Sequence, residues 1–429
     1  MTTVVIQNGL VLDPSQKLRK KMNVILRQGK IAALTDSKKF PADAVVYDVK
    51  NAVVAPGFID PHVHFRDPGF EYKEDIASGS RAAAAGGFTL VCCMANTYPV
   101  NDSASVSEYI LTRSREVGLI TVLPIGAVSR GLKGEQLADI GDMAKLGVIA
   151  LSDDGKPIMN SSLMRRAMEY AKPFGLPIIS HAEDISLGKG VMNEGRVSTE
   201  LGLKGIPHAS EDIMIARDIL LSELTGAHLH VAHLSSARSV EMIRYAKKRG
   251  DHVTCEVTPH HLVLTDEAVR GYDPNTKMHP PLRTEEDRLA LIEGLKDGTI
   301  DMIATDHAPH ALTDKEVGFD LASNGIVGLE TSLPLSLTLV HEKKISLERL
   351  VDAMSCKPAS VFGLEGKGTL KVGSDADITI FDPDRRHVID VSTFASKSRN
   401  TPFDGWKLKG KVLHTICGGR VVYSSKTSI

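Results

Sequence analysis

The sequence lacks the features of a membrane, secreted or nucleic-acid-binding protein. No apolar run approaches the roughly 18 residues that are needed to span a bilayer. The amino terminus lacks the basic-then-apolar layout of a signal peptide. The formal net charge of −2 provides no field that favours nucleic acid or an anionic membrane. These absences predict a cytoplasmic protein without a nucleic-acid or membrane partner.

Cysteine is scarce, and its spacing excludes two kinds of stabilising site. The cysteines are five in number and contain no C-x-x-C pair; they are Cys92, Cys93, Cys255, Cys356 and Cys417. This pattern argues against a disulfide framework and against a thiolate zinc site. We expect reduced, mostly buried thiols, as is typical of a cytosolic protein.

Glycine-rich phosphate motifs are also missing. No G-x-G-x-x-G follows the first apolar strand, which disfavours the alternative of an open, doubly wound sheet. No G-x-x-x-x-G-K-[ST] loop is present. We find neither an internal repeat nor a low-complexity segment.

The two ends of the chain share a texture of short apolar strands and turns. The predicted strands are 4–6, 24–26, 30–34, 45–47, 376–381, 412–417 and 421–423. Asn8-Gly9 and Gln28-Gly29 are predicted turns between them. Neither end alone has enough strands for a stable sheet. We therefore expect residues 1–52 and 365–429 to meet as one small composite β-sandwich domain.

Residues 53–364 alternate between strand-like and helix-like segments, which is typical of parallel β/α units. The predicted strands number eight, as in a closed TIM-type barrel; they are 52–62, 88–93, 121–125, 147–151, 177–180, 228–232, 253–257 and 301–305. The full 429 residues have room for such a domain and a smaller one. The sequence predicts an α/β fold, a (β/α)8 barrel carrying the composite β domain.

The first of these strands ends in His62-Val63-His64. In a strand, side chains at i and i+2 share a face, so both imidazoles point the same way. Two imidazoles on one face form half of a metal site. The alternative is a pair of core or surface histidines.

Further polar residues follow later strands, and in such a barrel the functional groups lie at these carboxyl ends. They are Asp153, Asp154, His181, His233, Asp306 and His307. A single histidine at a strand end is more often a hydrogen-bonded structural residue. The recurrence of the pattern favours a metal site, and histidines with carboxylates suit a borderline ion such as zinc.

At this point the sequence resembles the amidohydrolase superfamily and, more narrowly, type I dihydroorotase. The resemblance is carried by the segments 60–69 (DPHVHFRDPG), 152–155 (SDDG), 258–261 (TPHH), 280–283 (PPLR), 305–310 (TDHAPH) and 325–330 (GIVGLE). It implies a metal-dependent cyclic amide hydrolase. The implied reaction is the reversible cyclisation of N-carbamoyl-L-aspartate to (S)-dihydroorotate plus water in de novo pyrimidine (UMP) biosynthesis.

The resemblance also implies a ligand set for two zinc ions per chain. His62, His64 and Asp306 would hold one ion and His181 and His233 the other, with Asp154 bridging both. The choice of Asp154 over Asp153, and of His233 over His230, follows the family's pattern alone. Many relatives of other types bridge their metals with a carboxylated lysine on strand four, and residues 147–151 contain no lysine.

The chemistry implied is attack by a metal-bridging hydroxide on the carbonyl of a cyclic amide. Asp306 would act as general acid and base: it would take the proton of the attacking water and pass it to the departing ring nitrogen. Because the broken bond is a ring amide, the same site could close N-carbamoyl-aspartate to dihydroorotate.

The resemblance places a further set of residues around the substrate: His64, Arg66, Asn96, His279, His310, Asn324 and Gly325. The planar fork of Arg66 suits a carboxylate, although a surface ion pair is the alternative. The family pattern has asparagine where this chain has His279, and an aromatic residue where it has Asn324. His260 and His261 are interpreted as structural.

Two other functions stay open from the sequence. One is another cyclic amidohydrolase, a hydantoinase or an allantoinase, against which the lack of a strand-four lysine counts. The other is a catalytically silent barrel that acts as a scaffold for a partner enzyme. In a milder form of this alternative, the barrel is weakly active and needs aspartate transcarbamoylase as its partner. A homo-oligomer is also compatible with the sequence.

Overall fold

The computed structural model describes residues 3–425. Met1 and Thr2, on which part of the signal-peptide prediction rests, lie outside the described residues. The strands are β1 (Val4–Asp13), β2 (Leu18–Arg27), β3 (Lys30–Thr35), β4 (Val45–Asp48), β5 (Val53–Pro56), β6 (Phe58–Val63), β7 (Phe88–Cys93), β8 (Thr121–Pro124), β9 (Leu151–Ser152), β10 (Ile178–Ser180), β11 (Met192–Asn193), β12 (Gly205–Ile206), β13 (Leu229–Val231), β14 (Val253–Val257), β15 (Met302–Ile303), β16 (Ile378–Val388), β17 (Lys407–Cys417) and β18 (Arg420–Ser424).

The helices are α1 (Ile76–Gly86), α2 (Ala104–Val117), α3 (Ile140–Leu146), α4 (Ser161–Ala171), α5 (Arg196–Leu201), α6 (Ala209–Thr225), α7 (Ala237–Arg249), α8 (Pro259–Val263), α9 (Glu285–Asp297), α10 (Leu312–Lys315), α11 (Ser332–His341), α12 (Leu347–Val351) and α13 (Lys357–Val361). A π-helical turn, Asp352–Cys356, joins the last two. Within residues 3–425, no helix combines the length and the apolar character that crossing a membrane requires.

Eight central strands form two parallel sheets. One has the order β6-β7-β8 and the other the order β15-β14-β13-β10-β9. Single parallel bridges join the two sheets, Gly126 to Leu151 on one side and Val63 to His307 on the other. Every residue of β6 and β7 is buried, as expected of parallel strands that are covered on both faces.

Helix α1 shows how the sequence places the covering layer. Asp75 caps its amino end, because its carboxylate accepts from the backbone N–H of Ser78 at 2.6 Å while the Ser78 hydroxyl accepts from the N–H of Asp75. The helix ends at Gly87, whose φ of 92° is readily adopted only by glycine. Its small buried side chains let it lie close to the sheet.

The strands from both chain ends form one eight-stranded sheet with the order β18-β17-β16-β5-β1-β2-β3. This sheet branches at β1, whose first half pairs with β4 and whose second half pairs with β5. Strand β5 also pairs with β16, so that Ala55 lies opposite Thr379. A separate apolar cluster that includes Ile6 and Ile380 is buried against the sheet.

Strand β5 connects this sheet directly to the central strands. The backbone N–H of Gly57, which follows β5, donates to the carbonyl of Asp377 at 2.8 Å. Phe58 then begins β6, and its ring packs 5.8 Å from that of Phe381 and 6.0 Å from that of Phe88. The composite sheet and the central strands therefore share buried aromatic contacts.

Local predictions differ from the structure in three places. The predicted first central strand, 52–62, is two strands separated at Gly57: Val53–Pro56 pairs in the composite sheet and Phe58–Val63 in the central one. The fourth central strand pairs through Leu151–Ser152 rather than along 147–151, since Gly147 is the left-handed end of α3 and the ladder starts only after it. Asn8-Gly9 is a bulge inside β1 rather than a turn, and Asn8 has φ 65°. The Gln28-Gly29 turn between β2 and β3 is confirmed. All five cysteines are free and buried, which confirms the thiol prediction.

Candidate metal centre

The first half of the site joins the end of β6 to the end of β15. His64 Nε2 lies 2.9 Å from Asp306 Oδ1, and His62 Nε2 lies 3.4 Å from the same oxygen. All three side chains are buried or nearly so. Two imidazole nitrogens and one carboxylate oxygen thus converge on one point.

Asp154 lies between this group and the second half of the site. Its Oδ1 is 3.5 Å from His62 Nε2, 3.3 Å from His181 Nδ1 and 3.4 Å from His233 Nε2. Its Oδ2 is 3.4 Å from His64 Nε2. The structure therefore brings the six residues named as metal ligands into one cluster, with Asp154 at its centre.

The same geometry separates residues that the sequence left equivalent. Asp153 accepts hydrogen bonds from the backbone N–H groups of Val128 and Ser129 at 2.8 and 3.0 Å and from the Ser129 hydroxyl. His230 contacts Thr254 Oγ1 and Glu256 rather than the cluster. Asp153 and His230 therefore form hydrogen bonds with neighbouring segments and do not contribute ligand atoms to the cluster.

The atoms of this cluster fit a divalent metal ion. His62 Nε2 is buried and has no hydrogen-bond partner among residues 3–425. His181 Nδ1 and His233 Nε2 lie 2.9 Å apart, and both face Asp154 Oδ1 at 3.3 and 3.4 Å. The ligand atoms of His62, Asp154 and His233 all lie within 4.8 Å of one another. The same is true of the ligand atoms of His62, His64 and Asp306. Nitrogen and carboxylate ligands of this kind suit zinc.

Electrostatics keep the carboxylates of the cluster ionised. Burial alone would raise the pKa of Asp306, but the imidazoles of His62, His64 and His233 hold that pKa well below its usual value. Burial disfavours a charged His62, yet the carboxylates of Asp154, Glu256 and Asp306 raise its pKa well above the ordinary range. The carboxylates therefore favour a positive charge at this position, which either a proton on His62 or a bound cation can supply.

Strained backbone accompanies three of the site residues. Arg66, His233 and Asp306 have φ values of 62°, 33° and 49°, in the left-handed region that residues other than glycine seldom adopt. Each follows a central strand at the point where the chain turns toward the site. Such strain is typical of positions where a side chain is aimed at a ligand.

Carboxylate and amide groups behind the histidines set the orientation of their rings. His62 Nδ1 donates to Glu256 Oε1 at 2.6 Å, and His64 Nδ1 donates to Asn96 Oδ1 at 2.9 Å. Each ring thereby presents Nε2 to the cluster. Sequence reasoning missed Glu256, although a carboxylate within the apolar strand β14 was an available signal.

Among the predicted substrate residues, Arg66 lies close enough to Asp306 and Asp154 to interact with their charges. His310, Asn324 and Gly325 lie on loops that contact one another. His310 Nε2 donates to the carbonyl of Asn324 at 2.8 Å, while His310 Nδ1 is buried and has no hydrogen-bond partner in the described part of the chain. The Nε–H of Arg66 points to the carbonyl of Pro309 at 3.4 Å. Arg66 forms no ion pair with any of residues 3–425, so the surface ion pair is not observed. Gly325 has φ 98°, and a Cβ there would lie 2.7 Å from that of Ala308.

His279 has partners that the sequence did not predict. Its Nε2 donates to Glu183 Oε2 at 2.7 Å, and its ring stacks on that of His181 with centroids 5.4 Å apart. These three residues form a third group of ligand-type atoms within 4.8 Å of one another. The departure from the family pattern at position 279 therefore lies directly against a residue of the main cluster.

The two histidines after β14 differ from the site residues. His261 Nδ1 lies 2.7 Å from Thr258 Oγ1, and its Nε2 donates to the carbonyl of Pro280 at 3.1 Å. Its neighbour His260 is also buried and packs against it. His261 thus fastens helix α8 to the segment that carries His279.

Comparisons with known proteins agree with this geometry. The family model described as the amidohydrolase family matches residues 53–422. A dihydroorotase from Syntrophus aciditrophicus is 55% identical over 422 residues, 98% of this chain and 99% of that protein. One from Geobacter metallireducens is 54% identical over 421 residues, with the same coverage.

Solved structures show the same relationship. An L-hydantoinase (dihydropyrimidinase) from Arthrobacter aurescens has a TM-score of 0.89 and 30% identity, covering 99% of this chain and 96% of that one. A dihydropyrimidinase from Brevibacillus agri has a TM-score of 0.86 and 26% identity with the same coverage. The family match over residues 53–422 and the relatives of 54–55% identity show that the chain belongs to the amidohydrolase family and, within it, to the dihydroorotases.

Proposed function

We propose that the site catalyses the reversible, metal-dependent cyclisation of N-carbamoyl-L-aspartate to (S)-dihydroorotate and water in pyrimidine biosynthesis. The observation that carries this choice is the guanidinium of Arg66, which lies beside the cluster without a carboxylate partner among residues 3–425. Dihydroorotate and carbamoyl-aspartate carry a carboxylate that this fork can bind, whereas hydantoin and allantoin do not. The proposal favours dihydroorotate over those neutral rings.

The metal is proposed to be zinc, with two ions per chain. His62, His64 and Asp306 would hold one, His181 and His233 the other, and Asp154 both. When bound, such ions acidify water and polarise the carbonyl of a ring amide. Glu256 and Asn96 keep the rings of His62 and His64 turned toward this position.

Asp306 is proposed as the proton carrier. Its carboxylate remains ionised beside His64, so it can accept the proton of the attacking water and return it to the departing ring nitrogen. In the reverse direction it takes the proton of the carbamoyl nitrogen as the ring closes and delivers it to the carboxyl oxygen that leaves as water. Arg66, Asn96, His279, His310, Asn324 and Gly325 are proposed to hold the substrate in place during this transfer.

We extend the proposal to the architecture and setting of the enzyme. The central strands within residues 53–364 are proposed to close into a (β/α)8 barrel. The strands of residues 1–52 and 365–429 are proposed to form the composite β-sandwich domain together with β5 (Val53–Pro56), which pairs with β1 and β16. The five reduced, buried thiols favour a cytoplasmic location. Association into a homo-oligomer, or with aspartate transcarbamoylase, stays a proposal that a size measurement of the purified protein can test.

The function is tested by steady-state assays on dihydroorotate and carbamoyl-aspartate, with hydantoin and allantoin as controls. We expect turnover in both directions with the first pair and little with the controls. Arg66→Lys keeps the charge but loses the fork, and should weaken dihydroorotate binding with little effect on metal content. Efficient turnover of a neutral ring and none of dihydroorotate would contradict the proposal. Activity that appears only on addition of aspartate transcarbamoylase would support the partner-dependent form.

A further inference from the structure

A segment of the composite β domain reaches the candidate active site. Residues 394–401, which we call the strap, lie between β16 and β17. The Ser398 hydroxyl donates to the carbonyl of Lys73 at 2.8 Å, and the Ser396 hydroxyl donates to Glu74. The backbone N–H of Ala395 donates to Glu330 at 2.9 Å. The strap is therefore hydrogen-bonded to two loops, one that follows β6 and one that precedes α11.

Asn400 links the strap to the loops that carry the proposed substrate residues. Its side-chain Nδ2 donates to the carbonyls of Ala308 and Gly325 at 3.0 and 3.2 Å. Its Oδ1 accepts from the backbone N–H of His310 at 3.1 Å. The carbonyl of Asn400 also accepts from the N–H of Val327 at 2.9 Å. With 6% of its surface exposed, Asn400 joins the loop after β15 to the loop before α11.

These two loops carry residues that the proposed function places on the substrate. His310 and Asn324 are joined by the bond from His310 Nε2 to the Asn324 carbonyl. Lys315 donates to the carbonyl of Gly325 at 3.0 Å. The two loops also pair directly, since the backbone N–H of Ala308 donates to the carbonyl of Ile326 at 2.8 Å. The side chain of Asn400 adds hydrogen bonds to the backbone of both loops from outside them. The buried Nδ1 of His310 has no hydrogen bond within residues 3–425 and lies 3.7 Å from Asp314 Oδ2, so its position follows that of this backbone.

We propose that Asn400 is a positioning residue for substrate binding, which holds the His310 and Gly325 loops at the separation that the substrate requires. The inference rests on the proposed function. A primary amide is the group that fits this place, since it offers two donors and an acceptor on a short side chain. An aspartate would turn a carboxylate oxygen toward two carbonyls, and an alanine would leave buried backbone groups unpaired.

The test compares Asn400→Asp and Asn400→Ser with the neighbouring control Thr401→Val. Thr401 is 4% exposed, and its hydroxyl has no hydrogen-bond partner in residues 3–425, so valine should change nothing. We expect Asn400→Asp to raise KM for dihydroorotate roughly tenfold, with a smaller fall in kcat, because unpaired buried groups loosen both loops. Asn400→Ser keeps one donor and one acceptor, so its KM should lie between that of wild type and that of Asn400→Asp.

Metal content and Tm are measured on the same samples. Unchanged metal content and cooperative unfolding, with a raised KM, support the positioning role even where Tm falls by a few degrees, because the unpaired buried groups also lower stability. An unchanged KM in Asn400→Asp overturns it, and so does loss of folding or metal in both Asn400 variants, since that would make the residue merely structural. If wild type and Thr401→Val bind metal but do not turn over dihydroorotate, the proposed function itself fails, which is a separate outcome.

Discussion

Asp153 and Asp154 are adjacent in the chain, yet their hydrogen bonds give them different chemistry. Asp153 is saturated by donors from Val128 and Ser129, and burial raises its pKa to about 6. Asp154 is also buried, but the imidazoles of His62, His181 and His233 hold its pKa well below the usual value. A buried carboxylate that stays ionised can hold a cation, whereas Asp153 stabilises the loop before α3.

At Asp306, we expect the Asp306→Asn variant to keep its metal and lose turnover. Asparagine leaves an oxygen that can still act as a ligand, but it removes the proton carrier, a role worth roughly 10²–10⁴ in rate. Elemental analysis and kcat for dihydroorotate are the measurements. Asp153→Asn is the matched control. It should keep both its metal and its turnover, because the asparagine oxygen can still accept from the N–H groups of Val128 and Ser129. Metal loss from Asp306→Asn would mean that Asp306 is chiefly structural.

At His279, we expect the His279→Asn variant to be tolerated or to turn over dihydroorotate faster. The family resemblance has asparagine at this position, and the substitution frees Glu183 and the face of His181 from the stacked ring. The measurement is kcat/KM for dihydroorotate with the metal content of the same sample. A collapse of activity at full metal content would show that this chain uses His279 in a way of its own.

The individual site residues were predictable to different degrees. His62 and His64 follow from strand periodicity, because i and i+2 share a face. The preference for Asp154 over Asp153 came only from the resemblance, since adjacent aspartates are indistinguishable until their partners are known. Asn400 was not predicted, because its contacts cross about 75 residues of sequence to Gly325 and no local pattern encodes them.

At the scale of elements, the strap connects two strands of the composite sheet and also contacts loops of the central strands. Glu330 anchors it by accepting from the N–H groups of Ala395 and Ser396 at 2.9 and 3.2 Å. Burial raises the pKa of Glu330 to about 7 in spite of these bonds. Ionisation of Glu330 is therefore less favourable in the folded protein than in the unfolded chain.

This cost predicts a pH dependence of stability. The folded state binds the Glu330 proton up to about pH 7, while the unfolded state loses it near the ordinary value of about 4.3. Between these values the folded state holds more protons, so the free energy of unfolding falls as pH rises. Glu330→Gln keeps an oxygen for both N–H groups and removes the titration. We expect it to be more stable than wild type at pH 8, by at most about 4 kcal/mol, and equal to it below about pH 4.

Urea unfolding at a series of pH values checks this prediction. The control is Glu108→Gln, which changes an exposed glutamate in the middle of α2 and should leave the pH profile parallel to that of wild type. A Glu330→Gln profile that also parallels wild type would show that the buried carboxylate does not titrate in this range.

Element boundaries were less predictable than element order. The alternation of strands and helices was visible in the sequence because apolar periodicity changes between them. The pairing of the fourth strand was not, since only Leu151 and Ser152 pair and their partners lie on β10 and beside β8. Hydrogen bonds to neighbouring strands decide such limits, and these depend on the whole sheet.

At the scale of the molecule, the composite sheet and the central strands depend on each other. Strand β5 lies between β1 and β16, and Phe58 packs against Phe381. The similar texture of the two chain ends made their meeting predictable, but the branch at β1 and the reach of the strap into the site were not. Both arise from tertiary contacts between distant segments.

A chain restricted to residues 53–364 should therefore fail to fold into a soluble protein. It would expose both edges of β5 and the face of Phe58 that Phe381 covers, and it would lack Asn400. Soluble yield and thermal unfolding, followed by circular dichroism against the full chain, are the measurements. A soluble fragment that unfolds cooperatively would contradict the mutual dependence.

The central claim is that the His and Asp cluster is a two-metal centre for dihydroorotate turnover. The measurement that tests it most directly is a zinc titration of chelator-treated full-length protein, with dihydroorotate turnover followed at each addition. We predict no activity without metal and a rise that saturates at two ions per chain. Full turnover in the metal-free protein would contradict the account.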